Sequence, residues 1–517
     1  MSETKQDKDL VRSTGRGVIY ITFAKMWFML TGWVLVFILP RVFKWSVDGD
    51  NDLGMAMYGA YGIVFTGVSF INNGIITGTI QAVSKFTSED ETKAGPVRRL
   101  AFKLQGGLGL LLAGLYVAFA GLLSEHWFES PSLGPLMRVS AGVIVAYSCY
   151  AVFIGSFNGQ RLFNKQAFFD ILYSTIKSIL IVGLVAAGFG VLGTVMGFLI
   201  AATLIAVAAG IASRGGEKGT FPAKRYLSFA LVIILYTFVL NLVMMLDIYL
   251  LAGIVPRLAE DAGATSESFA RLSEIRAGQY KAVQQLAFIP YQAVLAIAFV
   301  AFPMISKVTF ADDREKTKLY VRQTLRFTAI LIVGLATVFA AVPSQALGLV
   351  FPSEYQIAAP ALRVLPLGIA AFGLMVVSNT ILNGAGHTWR AMSVVLVSLT
   401  AVVGAVLFLV TQSGSGIESL TATATGTTIG MVTGLAVSGI VVHKRFGTFW
   451  PWLSVLRVII AAALAMTAGH FMPDAGKMFT LVECIGVLLV YFIALVAMRE
   501  FGRDDLNQLK QVLKRGS

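Results

Sequence analysis

The chain has 517 residues, of which 56% are hydrophobic and only 13% charged, and its mean hydropathy is +0.76. A soluble domain of this size carries roughly 25% charged residues, so the composition points to lipid and away from a soluble enzyme. The net charge of +13 does not indicate nucleic acid, because the basic residues sit in short segments between long apolar runs.

Many of those runs are about 20 residues long, enough for a helix to cross about 30 Å of hydrocarbon. A β-barrel would instead alternate over about ten residues. A polar tail, 1–15, precedes the first run, 16–42, which is too long for a cleaved signal segment. Further spans follow at 53–83, 100–123, 137–158, 167–188, 190–212, 226–254, 280–308, 322–343, 358–384, 390–411, 416–442, 451–471 and 477–499. A basic tail, 500–517, closes the chain. The expected fold class is thus an all-α polytopic membrane protein with about fourteen transmembrane helices.

Lys and Arg set the orientation. With the N-terminus inside, the inner segments hold 30 of the 41 basic residues and the outer segments nine, Lys25 and Lys177 being left within helices. This bias predicts cytoplasmic N- and C-termini. Cys149 and Cys484 fall inside separate spans and suggest no disulfide or metal framework. His126, His387, His443 and His470 are scattered near span ends, and no Gly-rich phosphate loop of the ATPase type is present. No cofactor, metal or catalytic residue is expected, and energy must come from an ion gradient (H+ or Na+), the membrane potential or the substrate's own gradient.

An internal repeat runs through the sequence. Ile38-Leu39-Pro40-Arg41 matches Ile254-Val255-Pro256-Arg257, and Gly59-Ala60-Tyr61 matches Gly278-Gln279-Tyr280. Arg138-Val139 and Asn158-Gly159 match Arg363-Val364 and Asn383-Gly384, while Gly188-Phe189-Gly190 matches Gly414-Ser415-Gly416. The offset drifts from 216 to 226 residues in constant order. It spans six helices, so both copies enter the membrane from the same side. The expectation is two pseudo-symmetric six-helix lobes, 16–212 and 226–442, related about the membrane normal, with 451–499 as an appended pair.

Charges inside membrane helices are costly and default to function. Lys25 lies nine residues past Arg16 and has no acid one turn away on its own helix. It either lines a hydrated cavity that attracts an anion or pairs with an acid on a neighbouring helix. Lys177 lies at similar depth, and Asp170 two turns before it. Asp247 sits nearer the outer side, as a candidate for coupling or gating or as a partner of Arg257 or Arg276. Glu483 lies outside the repeated lobes. Arg138 and Arg363 are the repeat-related pair at outer helix ends, suited to headgroups or to a phosphate. Asn72, Asn73, Asn241, Gln292, Asn379 and Asn383 either line the cavity or bridge helices.

Several stretches are familiar. Met57-Tyr58-Gly59-Ala60-Tyr61-Gly62 leading into Asn72-Asn73-Gly74, then Leu246-Asp247-Ile248-Tyr249-Leu250-Leu251 and Phe302-Pro303-Met304-Ile305-Ser306, resemble polysaccharide flippases of the Wzx kind. So does Ile381-Leu382-Asn383-Gly384-Ala385-Gly386-His387, although that family usually carries lysine where His387 stands. The resemblance covers roughly residues 10 to 500 and implies the multidrug/oligosaccharidyl-lipid/polysaccharide (MOP) exporter superfamily. It implies two lobes around a central cavity, alternating access, and a lipid-linked glycan, undecaprenyl-diphosphate-borne, moved from the inner to the outer leaflet. Lys25, Lys177, Arg138, Arg363, Asn72, Asn73 and Gln292 are then the substrate-binding candidates, and Asp247 and Asp170 the coupling or gating ones. Membrane lipids and a coupling ion are the other expected partners, and the resemblance implies a bacterial inner membrane as the location. Alternatives are a lipid II flippase, a drug/cation antiporter of the same superfamily, or a non-transporting scaffold; Lys25 would repel a cationic drug.

Overall fold

The computed structural model describes residues 3–213, 215, 219–261, 263, 266–292, 294, 314–449, 452–472 and 476–501. Among them every regular element is helical. The helices are α1 (Glu3–Ser46), α2 (Asn51–Glu89), α3 (Ala94–Leu122), α4 (Leu133–Gly159), α5 (Phe163–Leu184), α6 (Gly190–Ala212), α7 (Ala223–Asp261) and α8 (Ser266–Ala287), then α9 (Arg314–Ala341), the short α10 (Pro343–Val350), α11 (Ala359–Gly384), α12 (Thr388–Ser413), α13 (Glu418–Phe446), α14 (Trp452–His470) and α15 (Lys477–Ala497). Twelve segments are long and apolar enough to cross a membrane, one of them being α5 and α6 taken together. Thirteen of the fourteen expected spans therefore have helices here. For the eighth, 280–308, the helix starts earlier, at Ser266, and residues 295–313 lie outside the described residues. The apolar stretch hid that start, because the first turns of α8 are polar.

Local chemistry explains the ends. Asp50 caps α2, its side chain accepting from the amide of Leu53 at 3.0 Å, which satisfies one of the orphan donors of the first turn. Gly447 closes α13 in a left-handed conformation, its amide bonded to the His443 carbonyl. Between α5 and α6 the chain passes through Gly188 (φ 91) and Gly190 (φ 53), values that favour glycine, and the two helices pack side by side. Pro40 and Pro256 do not end their helices: α1 continues to Ser46 and α7 to Asp261. Beside the first of these prolines the Arg41 guanidinium donates to the Phe37 carbonyl at 2.6 Å.

Contacts gather the chain into two compact units, Met1–Gly278 and Gln279–Ser517. In the first, α2 is the central strut, packed on α1, α3, α4, α6 and α7. Paired side chains fix the helix directions. Lys25 and Trp27 of α1 meet Asp170 and Thr175 of α5 in rising order, so these two helices run parallel. Asn73 and Glu89 of α2 meet Asn241 and Arg225 of α7 in falling order, so those two run antiparallel. Both relations are what strict alternation across a membrane requires.

The glycines of the second repeat match lie against one another. A Cβ on Gly59 would overlap the carbonyl oxygen of Glu274 and come within 2.8 Å of the Gly278 nitrogen. A Cβ on Gly278 would overlap the Met55 carbonyl oxygen and come within 3.0 Å of the Gly59 nitrogen. The contact is reciprocal: 59 meets 274 and 278, and 278 meets 55 and 59. Close backbone approach through small residues is how membrane helices gain packing energy without a hydrophobic drive.

In the second unit α9 packs with α11, α14 and α15, and α11, α12 and α13 pack together. Ile330, Val338, Val458, Ala461, Ala465, Val487, Tyr491 and Leu495 form the shared core of α9, α14 and α15, where the Tyr491 hydroxyl donates to the Ile330 carbonyl at 3.0 Å. The expected appended pair, α14 and α15, is thus seated on α9.

Candidate substrate site

The chemistry-bearing residues of the first unit converge where α1, α4, α5 and α6 meet. Lys25 Nζ lies 3.4 Å from Asp170 Oδ2. Oδ1 of the same carboxylate accepts from the Tyr150 hydroxyl at 3.0 Å. Two turns along α5 from Asp170, Lys177 Nζ sits 4.9 Å from the Phe28 ring centroid, 5.4 Å from Tyr173 and 5.9 Å from Phe198. This three-sided aromatic surround suits a cation. Tyr147 links the rings, standing edge-on to Tyr173 at 5.4 Å and to Phe198 at 5.7 Å, and Phe65 stacks on Phe198 from α2 at 4.9 Å.

Exposure separates the two lysines. The Lys25 side chain is 64% exposed although it is ion-paired, whereas Asp170 is only 12% exposed. Lys177 is half-buried among its rings. An ammonium at this depth facing hydrocarbon would cost about 3 kcal/mol or more, so the exposed side of Lys25 calls for water or an anion. The site then offers one exposed ammonium, a second held behind aromatic faces, and a carboxylate that can release Lys25 without losing its Tyr150 bond. An anion with a polar, ring-bearing head fits such a surface: ammonium groups take the negative charge, and aromatic faces take the rings.

The remaining candidates fall elsewhere. Asn73 Nδ2 donates to Asn241 Oδ1 at 2.8 Å, tying α2 to α7, while Asn72 is buried with no partner for its Oδ1 among the described residues. Asp247 is buried on α7, its Oδ1 accepting from the Ile248 amide at 2.9 Å. Arg257 turns instead to Glu129 at 3.9 Å, to the His126 carbonyl at 3.1 Å and to the Trp127 ring at 4.7 Å. Arg138 is exposed near the start of α4 and Arg363 near the start of α11. Gln292 is exposed in the second unit, and Asn379 is fully buried there with both amide atoms unpartnered among the described residues. Asn158 accepts from Ser84 at 2.7 Å and donates to Gln166 at 2.9 Å, a helix bridge.

Sequence reasoning missed the tyrosines. Their spacing carried a signal: Tyr147 and Tyr150 lie three apart, Tyr173 and Lys177 four apart, so each pair shares a helix face. Weighing single charges by depth passed over that face.

Comparison with known proteins places the chain. The family model described as polysaccharide biosynthesis protein matches residues 53–263 and 270–360. No curated protein sequence matches. Solved structures do: a lipid II flippase MurJ in an inward closed conformation shares 14% identity, covers 93% of this chain and 99% of its own, and superposes with a TM-score of 0.70. An inward-facing MATE family multidrug resistance transporter of the MOP superfamily shares 16% identity over 80% and 94% of the two chains, with a TM-score of 0.60. A MOP superfamily transporter from Pyrococcus furiosus, whose structure is described by a binding pocket of reversed polarity, shares 15% over 83% and 95%, with a TM-score of 0.59. With the fold of the MOP transporters and the family model spanning more than half its length, the chain belongs to the polysaccharide biosynthesis protein family.

Proposed function

We propose that the protein is a flippase that carries undecaprenyl-diphosphate-linked oligosaccharide from the inner to the outer leaflet by alternating access. The observation that carries this reading is the exposed Lys25 ammonium deep in a membrane helix, backed by Lys177 and a wall of tyrosine and phenylalanine rings. The diphosphate would displace Asp170 from Lys25, the sugar rings would lie along Tyr147, Tyr150 and Tyr173, and the lipid tail would stay in the bilayer. Asp170 and Asp247 are the groups proposed to couple the cycle to H+ or Na+, and Arg138 and Arg363 to guide the headgroup at the outer mouth. The reciprocal Gly59–Gly278 contact supports two lobes, 16–212 and 226–442, about a two-fold axis along the membrane normal, since a residue beside such an axis meets its own mate.

Transport is tested with purified protein in liposomes. Undecaprenyl-diphosphate glycan should cross to the opposite leaflet faster than in protein-free vesicles, and faster than lipid II presented equally. Equal rates with and without protein would leave the drug/cation antiporter and scaffold readings; a preference for lipid II would reassign the substrate. Orientation is tested separately by reporter fusions, outside at Ser132 and inside at Thr92. The reverse pattern would overturn the cytoplasmic assignment of both termini.

A further inference from the structure

At one end of the second unit, the start of α9, the start of α14 and the residues after α15 surround a cavity of about 260 Å³. At about 30 Å³ per water, that is the volume of roughly eight or nine waters. Its wall carries three guanidinium groups, Arg322, Arg326 and Arg457, with Gln323 and Ser454 as polar neighbours and Glu500 as the one carboxylate among its lining residues.

The Glu500 side chain is fully buried and both its oxygens are engaged. Arg326 Nε donates to Oε1 at 2.7 Å and Arg457 Nη1 to Oε2 at 3.1 Å. Arg326 also donates to the Glu500 carbonyl, and Arg457 to that of Arg499 at 3.3 Å. Burial pushes the Glu500 carboxyl up, but hydrogen bonds from Ser454, Arg326 and Arg457 outweigh it and hold the group below its ordinary value. It is therefore ionised at neutral pH. One negative charge among three positive ones leaves the wall two charges positive, and Arg322 stands exposed. Trp452, Leu453 and Leu456, at the start of α14, are exposed beside it. Tryptophan marks headgroup depth, and leucines give acyl chains a track.

We propose that this cavity is a binding site for a phosphate group, that of an anionic phospholipid headgroup at the membrane surface. Basic pockets between membrane helices take such headgroups, more so on the cytoplasmic face, where the charge bias puts this end. The Arg326–Glu500–Arg457 clasp preorganises the pocket, and Arg322 supplies the charge that closes on the phosphate. This inference does not depend on the transported substrate.

The test uses the full chain in detergent, probed with phosphatidylglycerol, phosphatidylcholine and inorganic phosphate at matched concentrations, with binding read by native mass spectrometry and thermal shift. Arg322→Gln and Gln323→Glu leave the clasp intact. Phosphatidylglycerol should bind and phosphatidylcholine should not, and each variant should weaken phosphatidylglycerol binding about tenfold, the size of one lost charge-assisted contact. If inorganic phosphate alone gives the full, variant-sensitive shift, the site holds and its source is free phosphate. Equal binding of both lipids, or phosphatidylglycerol binding untouched by either variant, would overturn the proposal.

Discussion

Replacing Lys25 by alanine will lower glycan export about 10–100-fold and leave the protein folded, the size expected for losing a charge-assisted contact to a phosphate. The structure sharpens why stability survives. Lys25 is paired, but its own side chain is 64% exposed and only Asp170, at 12%, is enclosed; the more exposed a pair, the nearer its contribution falls to about 0–1 kcal/mol. Asp170 also keeps the Tyr150 hydroxyl at 3.0 Å when Lys25 is removed. Arginine at the position should keep part of the activity, because charge is retained while geometry changes. Asp170→Asn provides the complementary measurement. It frees the ammonium, so substrate should bind at least as tightly while turnover falls through slower release. Export in cells lacking their own flippase, read beside thermal stability in detergent, decides between the roles. Normal export by Lys25→Ala would end the substrate-binding assignment, and a collapse in stability would make the pair structural.

The second large effect is expected at the glycine contact. Gly59→Val and Gly278→Val should each destabilise the protein by about 1–3 kcal/mol or more, because the new side chain meets backbone that cannot turn aside. The two losses should be similar in size, since the contact is reciprocal. The double variant should cost less than the sum, because one separation of α2 from α8 relieves both clashes. Thermal melts of the three variants measure this. A loss at one position alone would argue that the contact is not a symmetric one and would weaken the two-lobe reading.

These two sites differ in how far they were legible in the chain. Apolar run length gave thirteen helices their places, because a membrane core has no water to satisfy a broken backbone and each crossing must be one long apolar helix. The Lys and Arg bias gave an alternation that the parallel α1–α5 and antiparallel α2–α7 pairings respect. Gly59 and Gly278 were visible only as a repeated tripeptide at an offset of 219 residues. That they touch is a fact of packing, because a repeat fixes equivalence and not adjacency.

The residues also flagged Lys25, Asp170 and Lys177 as isolated charges in apolar helices, since the cost of an intramembrane charge depends on depth, which sequence supplies. Which acid meets which base was decided by the tertiary structure. Asp170 took Lys25 from a helix 145 residues away, Lys177 went to rings from three helices, and Glu500 gathered Arg326 and Arg457. Pairing across helices depends on their rotation and register. Both are set by the packing of whole faces, which local composition does not encode.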